Sequence, residues 1–267
     1  MKFFDWKSMY FSAILFLLIQ DAFASYFVEK AWPINLSISI LTATVIDLLV
    51  KKFYLKKKLM FPSSAFITGT IVGSIAPFSS SPVVVIVAST IGILSKFFIR
   101  TKKGHVFNPA TLGLIISLFI FGLGDEWWAA TGHVFSTISF LSGIVVNLTP
   151  LLVFPNYRAR KLYIAIPFLL TLAISSYATG YLKPSSFSTD GILNYFFSFP
   201  YFFAFIMVSE PKTTPYKKKE QIGFGIGTAL LLTIFTFYSI RFYLFLPLLI
   251  ANFVYFLYSY LKISKSL

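Results

Sequence analysis

Cysteine is absent from this 267-residue chain, histidine occurs twice, and acidic residues number nine. The first absence excludes disulfides, thiolate metal ligands and cysteine-ligated iron–sulfur clusters within the chain. With His105 and His133 as the two imidazoles, haem held by a histidine pair is not favoured, and no metal site is expected. No Walker, G-x-G-x-x-G, H-E-x-x-H or G-x-S-x-G pattern occurs, so no catalytic residue of the soluble-enzyme kind is assigned. Charged residues make up 12% of the chain, against roughly 25% in soluble domains, which excludes a water-soluble core.

What is present is apolar. The chain is 57% hydrophobic, its mean hydropathy is +0.80, and apolar runs recur at the ~20-residue scale that crosses a bilayer. Charged and Pro/Gly/Ser-rich breaks divide it into about ten transmembrane spans. Their limits are 10–29, 33–50, 62–77, 82–99 and 107–123, then 134–154, 162–181, 190–209, 221–240 and 243–261. The fold class read from this is an all-α polytopic membrane protein whose first partner is the lipid bilayer.

The net charge of +14, with runs such as Lys56-Lys57-Lys58 and Lys217-Lys218-Lys219, raises nucleic acid as a partner. In a membrane chain the same runs read as inner-face loops, and no nucleic-acid partner is expected. With the N-terminus inside, only Lys30, Lys183 and Arg241 of the 23 basic residues fall on the outer side. Both termini are therefore expected in the cytoplasm and the protein in the cytoplasmic (inner) membrane. Lys2, Lys7, the apolar run from Tyr10 and the Ala22-Phe23-Ala24 triplet also resemble a cleavable signal peptide. Retention is the expected outcome, because cleavage would leave four spans against five.

Five spans per half would place any duplicated halves, 1–130 and 131–267, in opposite orientations. Ser74-Ile75-Ala76-Pro77 and Phe107-Asn108-Pro109-Ala110 in the first half match Val208-Ser209-Glu210-Pro211 and Phe245-Leu246-Pro247-Leu248 in the second. The paired prolines stand 32 and 36 residues apart. Each half also has an interrupted segment, Pro62 to Ser74 with Thr68 and Gly69, and Asp190 to Pro211 with Asn194. Such segments either line a midplane site or let small residues pack closely.

Acids inside apolar runs are candidate functional groups. Asp47 reads as a pathway residue or as an interfacial acid paired with Lys51 and Lys52, and Asp21 could sit at the outer interface. Glu210 ends an apolar run within Ser209-Glu210-Pro211-Lys212-Thr213-Thr214-Pro215, either facing a cavity or pairing with Lys212 at the surface. Pro109 loses nothing at a helix start, and Asn108 before it is a good cap. That helix start, with His105 and Thr111 beside it, suits an anionic or electron-rich group. The ion or substrate pathway is accordingly assigned to Asp47, Thr68, Gly69, Ser74, Asn194 and Glu210. Asn147 and Asn252 read as hydrogen-bonding glue between helices.

Three pieces in order carry a family resemblance: Ser64-Ala65-Phe66-Ile67-Thr68-Gly69 with Pro77, Gly104 to Ala110, and Ser209 to Pro215 followed by Gly223-Phe224-Gly225-Ile226-Gly227. Across roughly residues 60 to 260 the chain resembles the NqrB/RnfD family, membrane components of the sodium-translocating NADH:quinone oxidoreductase (Nqr) and of the Rnf electron-transport complex. The resemblance implies two inverted five-helix repeats with broken or half helices, similar to urea transporters. It also implies flavin held within an ion-pumping redox complex, among other membrane and flavoprotein subunits. Cofactor binding is assigned, from the helix start at Pro109 and the Glu210 segment, to His105, Asn108, Pro109, Thr111, Ser209, Glu210, Thr213 and Thr214. Typical members esterify flavin mononucleotide (FMN) to a threonine in an S-G-A-T-like motif. Here the corresponding outer loop, Gly122 to His133, has none, and Asp125 and Glu126 would repel the phosphate. Covalent FMN is expected to be absent, leaving noncovalent FMN or riboflavin. Trp127 and Trp128 fit an interfacial aromatic belt better than a flavin stack. A small-solute channel or carrier, or an anchor for external flavoproteins, would use the same scaffold without redox activity.

Overall fold

The computed structural model describes residues 9–26, 32–101, 104–129, 156–180 and 200–264. The span expected at 134–154, His133, Asn147 and Asn194 lie outside them. Among the described residues the regular structure is helical: α1 (Met9–Ala24), α2 (Ile34–Leu49), α3 (Ser63–Ile75), α4 (Pro82–Phe98), α5 (Pro109–Ile120), α6 (Leu162–Ala178), α7 (Lys218–Phe237) and α8 (Phe245–Ser264). Two π-helical segments complete it, Val50–Tyr54 continuing α2 and Phe203–Val208 ahead of the Glu210 turn. Ile34–Tyr54, Lys218–Phe237 and Phe245–Lys262 are long and apolar enough to cross a membrane, and α1, α3, α4, α5 and α6 are shorter apolar helices.

The caps follow from local chemistry. Ser81 accepts from the Val83 N–H ahead of Pro82, and Asn108 accepts from the Thr111 N–H at 3.1 Å ahead of Pro109. In α3, Thr68 and Thr70 donate back one turn to the Ser64 and Phe66 carbonyls, so these two hydroxyls add no unpaired group to an apolar setting.

Residues 62–74 do not form an interrupted segment. Ser63–Ile75 is one unbroken helix of 13 residues, about 20 Å long against a hydrocarbon core of ~30 Å. Its small residues serve close packing: a Cβ at Gly69 would lie 2.7 Å from the Ile40 Cα of α2. Ser39 of α2 donates to the Gly69 carbonyl at 2.8 Å.

The loop after α5 also departs from expectation. Trp127 and Trp128 are buried at 6% and 5% exposure, not set in an outer belt. Trp127 stacks on Phe245 with ring centres 5.4 Å apart. Trp128 donates its indole N–H to the Gly73 carbonyl at 2.8 Å. The Glu126, Trp127 and Ala129 N–H groups reach the last carbonyls of α3, satisfying acceptors that a helix end leaves open. The loop thus folds into the core formed by Phe168 of α6, Phe203, Met207, Phe245 and Leu114.

Candidate functional site

The loop before α5 reaches the turn after the second π-helical segment through a close backbone contact. A Cβ at Gly104 would lie 2.7 Å from the Lys212 carbonyl oxygen, so glycine permits the approach that sets His105 beside Glu210. His105 Nε2 lies 2.7 Å from Glu210 Oε1. The pair is an ion pair when the imidazole is protonated and a hydrogen bond otherwise. Its side chains are 5% and 19% exposed, so the contact is shielded from water and little screened.

Hydrogen bonds join the rest of this region. The Asn108 amide donates to the Met207 carbonyl at 3.2 Å, and its backbone N–H donates to Asn252 Oδ1 at 3.0 Å. Asn252, buried in α8, donates to the Thr213 carbonyl at 3.4 Å, tying α8 to the Glu210 turn as well as to the cap of α5. Thr213 donates to Glu210 Oε2 at 3.2 Å, and Thr214 donates to the Glu210 carbonyl at 2.6 Å. Ser209 turns back to the Phe205 carbonyl. Lys161, ahead of α6 and outside the spanning segments, donates to the Thr214 and Pro215 carbonyls at 3.3 and 2.7 Å. Burial lowers its ammonium to about 8, and the nearby Glu210 carboxylate works in the opposite sense.

A cavity of about 100 Å³ lies against this network, lined by Ser64, Thr68, Asn108, Pro109, Ser209 and Glu210 among others. Lys96 of α4 is buried and donates to the Ser64 and Thr68 hydroxyls at 3.0 and 3.4 Å, which places its amino group behind two of the lining residues. No carboxylate lies within ion-pair distance of Lys96 among the described residues. Among the described lining residues the arrangement offers hydroxyls and the Glu210 carboxylate, itself paired with the His105 imidazole, to a proton, a small cation or a small polar solute.

His105, Asn108, Pro109, Thr111, Ser209, Glu210, Thr213 and Thr214 therefore come together, although separated by about a hundred residues of chain. Thr68 joins them at the cavity. Asp47 does not: its carboxylate oxygen sits 2.5 Å from Lys51 Nζ one turn away. Gly69 faces α2, and Ser74 lies at the far end of α3, donating to Asp21 Oδ1 at 2.7 Å. Asp21 is buried at 3% exposure. The start of α5 is closed by Asn108 itself, while the Thr111 hydroxyl is buried without a partner among the described residues.

The sequence reading missed Lys96 and Lys161 as site residues, counting both as loop charges. One signal for Lys96 was available: it lies within an apolar run, four residues ahead of Arg100. A scan against protein-family models gives no match to the chain, and no curated protein matches it.

Proposed function

We propose that this chain is an integral membrane component of an Nqr/Rnf-like electron-transport complex. In it, the cavity beside Glu210 handles the Na⁺ or H⁺ whose movement is coupled to electron flow. The observation that carries this reading is the His105–Glu210 contact at 2.7 Å beside a cavity lined by Ser64, Thr68, Asn108 and Ser209. Ionisable groups within a membrane bundle mark ion and proton routes, and hydroxyl and carboxylate oxygens are the ligands a small hard cation takes.

The wider scaffold in this reading is a set of about ten spans in two inverted five-helix repeats, in the inner membrane with both termini cytoplasmic. Two features support it. α2 packs along α4, and α6, at the corresponding position, packs along α7. Pro109 and Pro247 both fall in the first turn of their helices, and Pro77 and Pro211 both follow helix ends.

Flavin fits this cavity poorly. About 100 Å³ is well below the ~300–1,000 Å³ of pockets that take drug-sized ligands. The chain's own part in the proposed complex is ion movement, with flavin held among partner subunits. The same small volume favours the second reading, a channel or carrier for a small polar solute on this scaffold.

The test is ion uptake into proteoliposomes holding the protein with its co-purifying partners, driven by electron donor. Glu210→Gln is expected to lower Na⁺ or H⁺ uptake about tenfold, the scale of a lost transition-state interaction worth ~1.4 kcal/mol, while expression is kept. An unchanged rate overturns the site. Isolated colourless protein that passes solute without electron donor favours the second reading.

A further inference from the structure

Arg158, Arg160 and Lys218 line a cavity of about 890 Å³ at the starts of α6 and α7, and none of the described lining residues carries a carboxylate. It shares no described lining residue with the cavity beside Glu210. Both helices begin here without a side-chain cap, Lys161 and Lys217 making no cap hydrogen bond, whereas Ser81 and Asn108 cap α4 and α5. The uncapped first turns of helices 17 and 20 residues long therefore add N–H groups and two positive dipole ends to three cations. Tyr157, Tyr163 and Tyr216 contribute ring faces to the same wall, and Lys218 sits 4.9 Å from the centre of the Tyr163 ring.

Below this basic mouth the wall turns apolar at Ile166 and Ile222. Ile166, Leu170 and Ile174 continue along one exposed face of α6, with Ile174 70% exposed. The four-residue spacing keeps them on one stripe. A cationic, aromatic pocket opening onto an exposed apolar stripe has the shape of an amphiphile.

We infer that this cavity binds the phosphodiester headgroup of an anionic phospholipid, its acyl chain lying along the Ile166–Leu170–Ile174 stripe. Arginine forks match phosphate oxygens in pairs, and basic pockets between helices at a membrane face take anionic headgroups. A soluble phosphate ester would meet the same cations, but it leaves the stripe uncovered, and the stripe decides for the lipid.

The experiment titrates phosphatidylglycerol, phosphatidylcholine and inorganic phosphate separately into the full-length protein in micelles. Thermal shift and native mass spectrometry report stabilisation and retained lipid. Phosphatidylglycerol is expected to bind in preference to phosphatidylcholine, and the R158A/R160A/K218A variant to weaken it at least about tenfold. All three residues are exposed, and circular dichroism checks that the variant keeps its fold. K56A/K57A/K58A, with the same charge loss elsewhere, is expected to bind as the wild type does. An unaffected R158A/R160A/K218A variant, or equal loss in the control variant, overturns the site. Equal stabilisation by inorganic phosphate overturns the lipid assignment.

Discussion

Lys161 shows how a single buried charge makes the fold sensitive to pH. The residue is 1% exposed, and burial lowers its ammonium from the ordinary 10.5 to about 8. Below about pH 8 folded and unfolded chains both hold the proton, and the burial cost is constant. Between about 8 and 10.5 the unfolded chain binds more proton than the folded one, so stability rises with pH through that window. Melting curves in micelles at pH 8 and pH 10 are expected to show a gain in the wild type, on the order of 2 kcal/mol, that Lys161→Met lacks. Parallel curves for the two proteins would refute this. Legibility at this scale divides along the range of the interaction. Asn108 and Pro109 are readable because cap chemistry is settled within four residues, and Glu210 because an acid ending an apolar run is costly to bury. The partnership of Glu210 with His105, 105 residues away, is a tertiary fact that no local pattern encodes. Lys96 was hidden for a related reason: a lysine near the end of an apolar run looks like an anchoring charge until the hydroxyls of Ser64 and Thr68 are seen beside it.

At the scale of elements, α3 separates what composition can say from what packing decides. A stretch rich in glycine, serine and threonine serves equally as unwound cavity lining or as a close-packed helix, since both need small side chains. The backbone of α2, 2.7 Å from a Cβ placed at Gly69, selects the second. Gly69→Val is therefore expected to push α2 and α3 apart and lower stability by about 1–3 kcal/mol, read as a fall in the melting temperature of protein in micelles. A wild-type melting temperature would show that the two helices are not held this closely. The same ambiguity explains Trp127 and Trp128. An amphipathic ring suits a membrane interface and equally a core that offers one acceptor, and the acceptors here are the Asp125 carboxylate and the Gly73 carbonyl. Helix positions were more legible than helix character: the described helices fall within or closely overlap the expected spans, because a run of some 20 apolar residues has few alternatives in lipid.

For the whole molecule, the central claim is that two five-helix halves run through the membrane in opposite senses and meet at the cavity beside Glu210. The core joins residues of both halves, with Trp127 stacked on Phe245 and Asn108 bonded to Asn252, so the halves form one packed unit in the described region. The odd number of expected spans per half and the paired prolines are what suggest an inversion in the sequence. Its proof needs the side of the membrane on which each loop lies, which lysine counts address only statistically. In this proposal the loop after Pro77 and the loop after Pro211 occupy matching places in the two halves, and inversion requires them on opposite faces. Because the chain has no cysteine, Ser79→Cys and Lys217→Cys each introduce a unique thiol at an exposed position. Labelling intact cells and inverted vesicles with a membrane-impermeant maleimide is the decisive measurement. The expected result is Ser79→Cys reacting only from outside and Lys217→Cys only from the cytoplasmic side; reaction of both from the same side would contradict inverted halves.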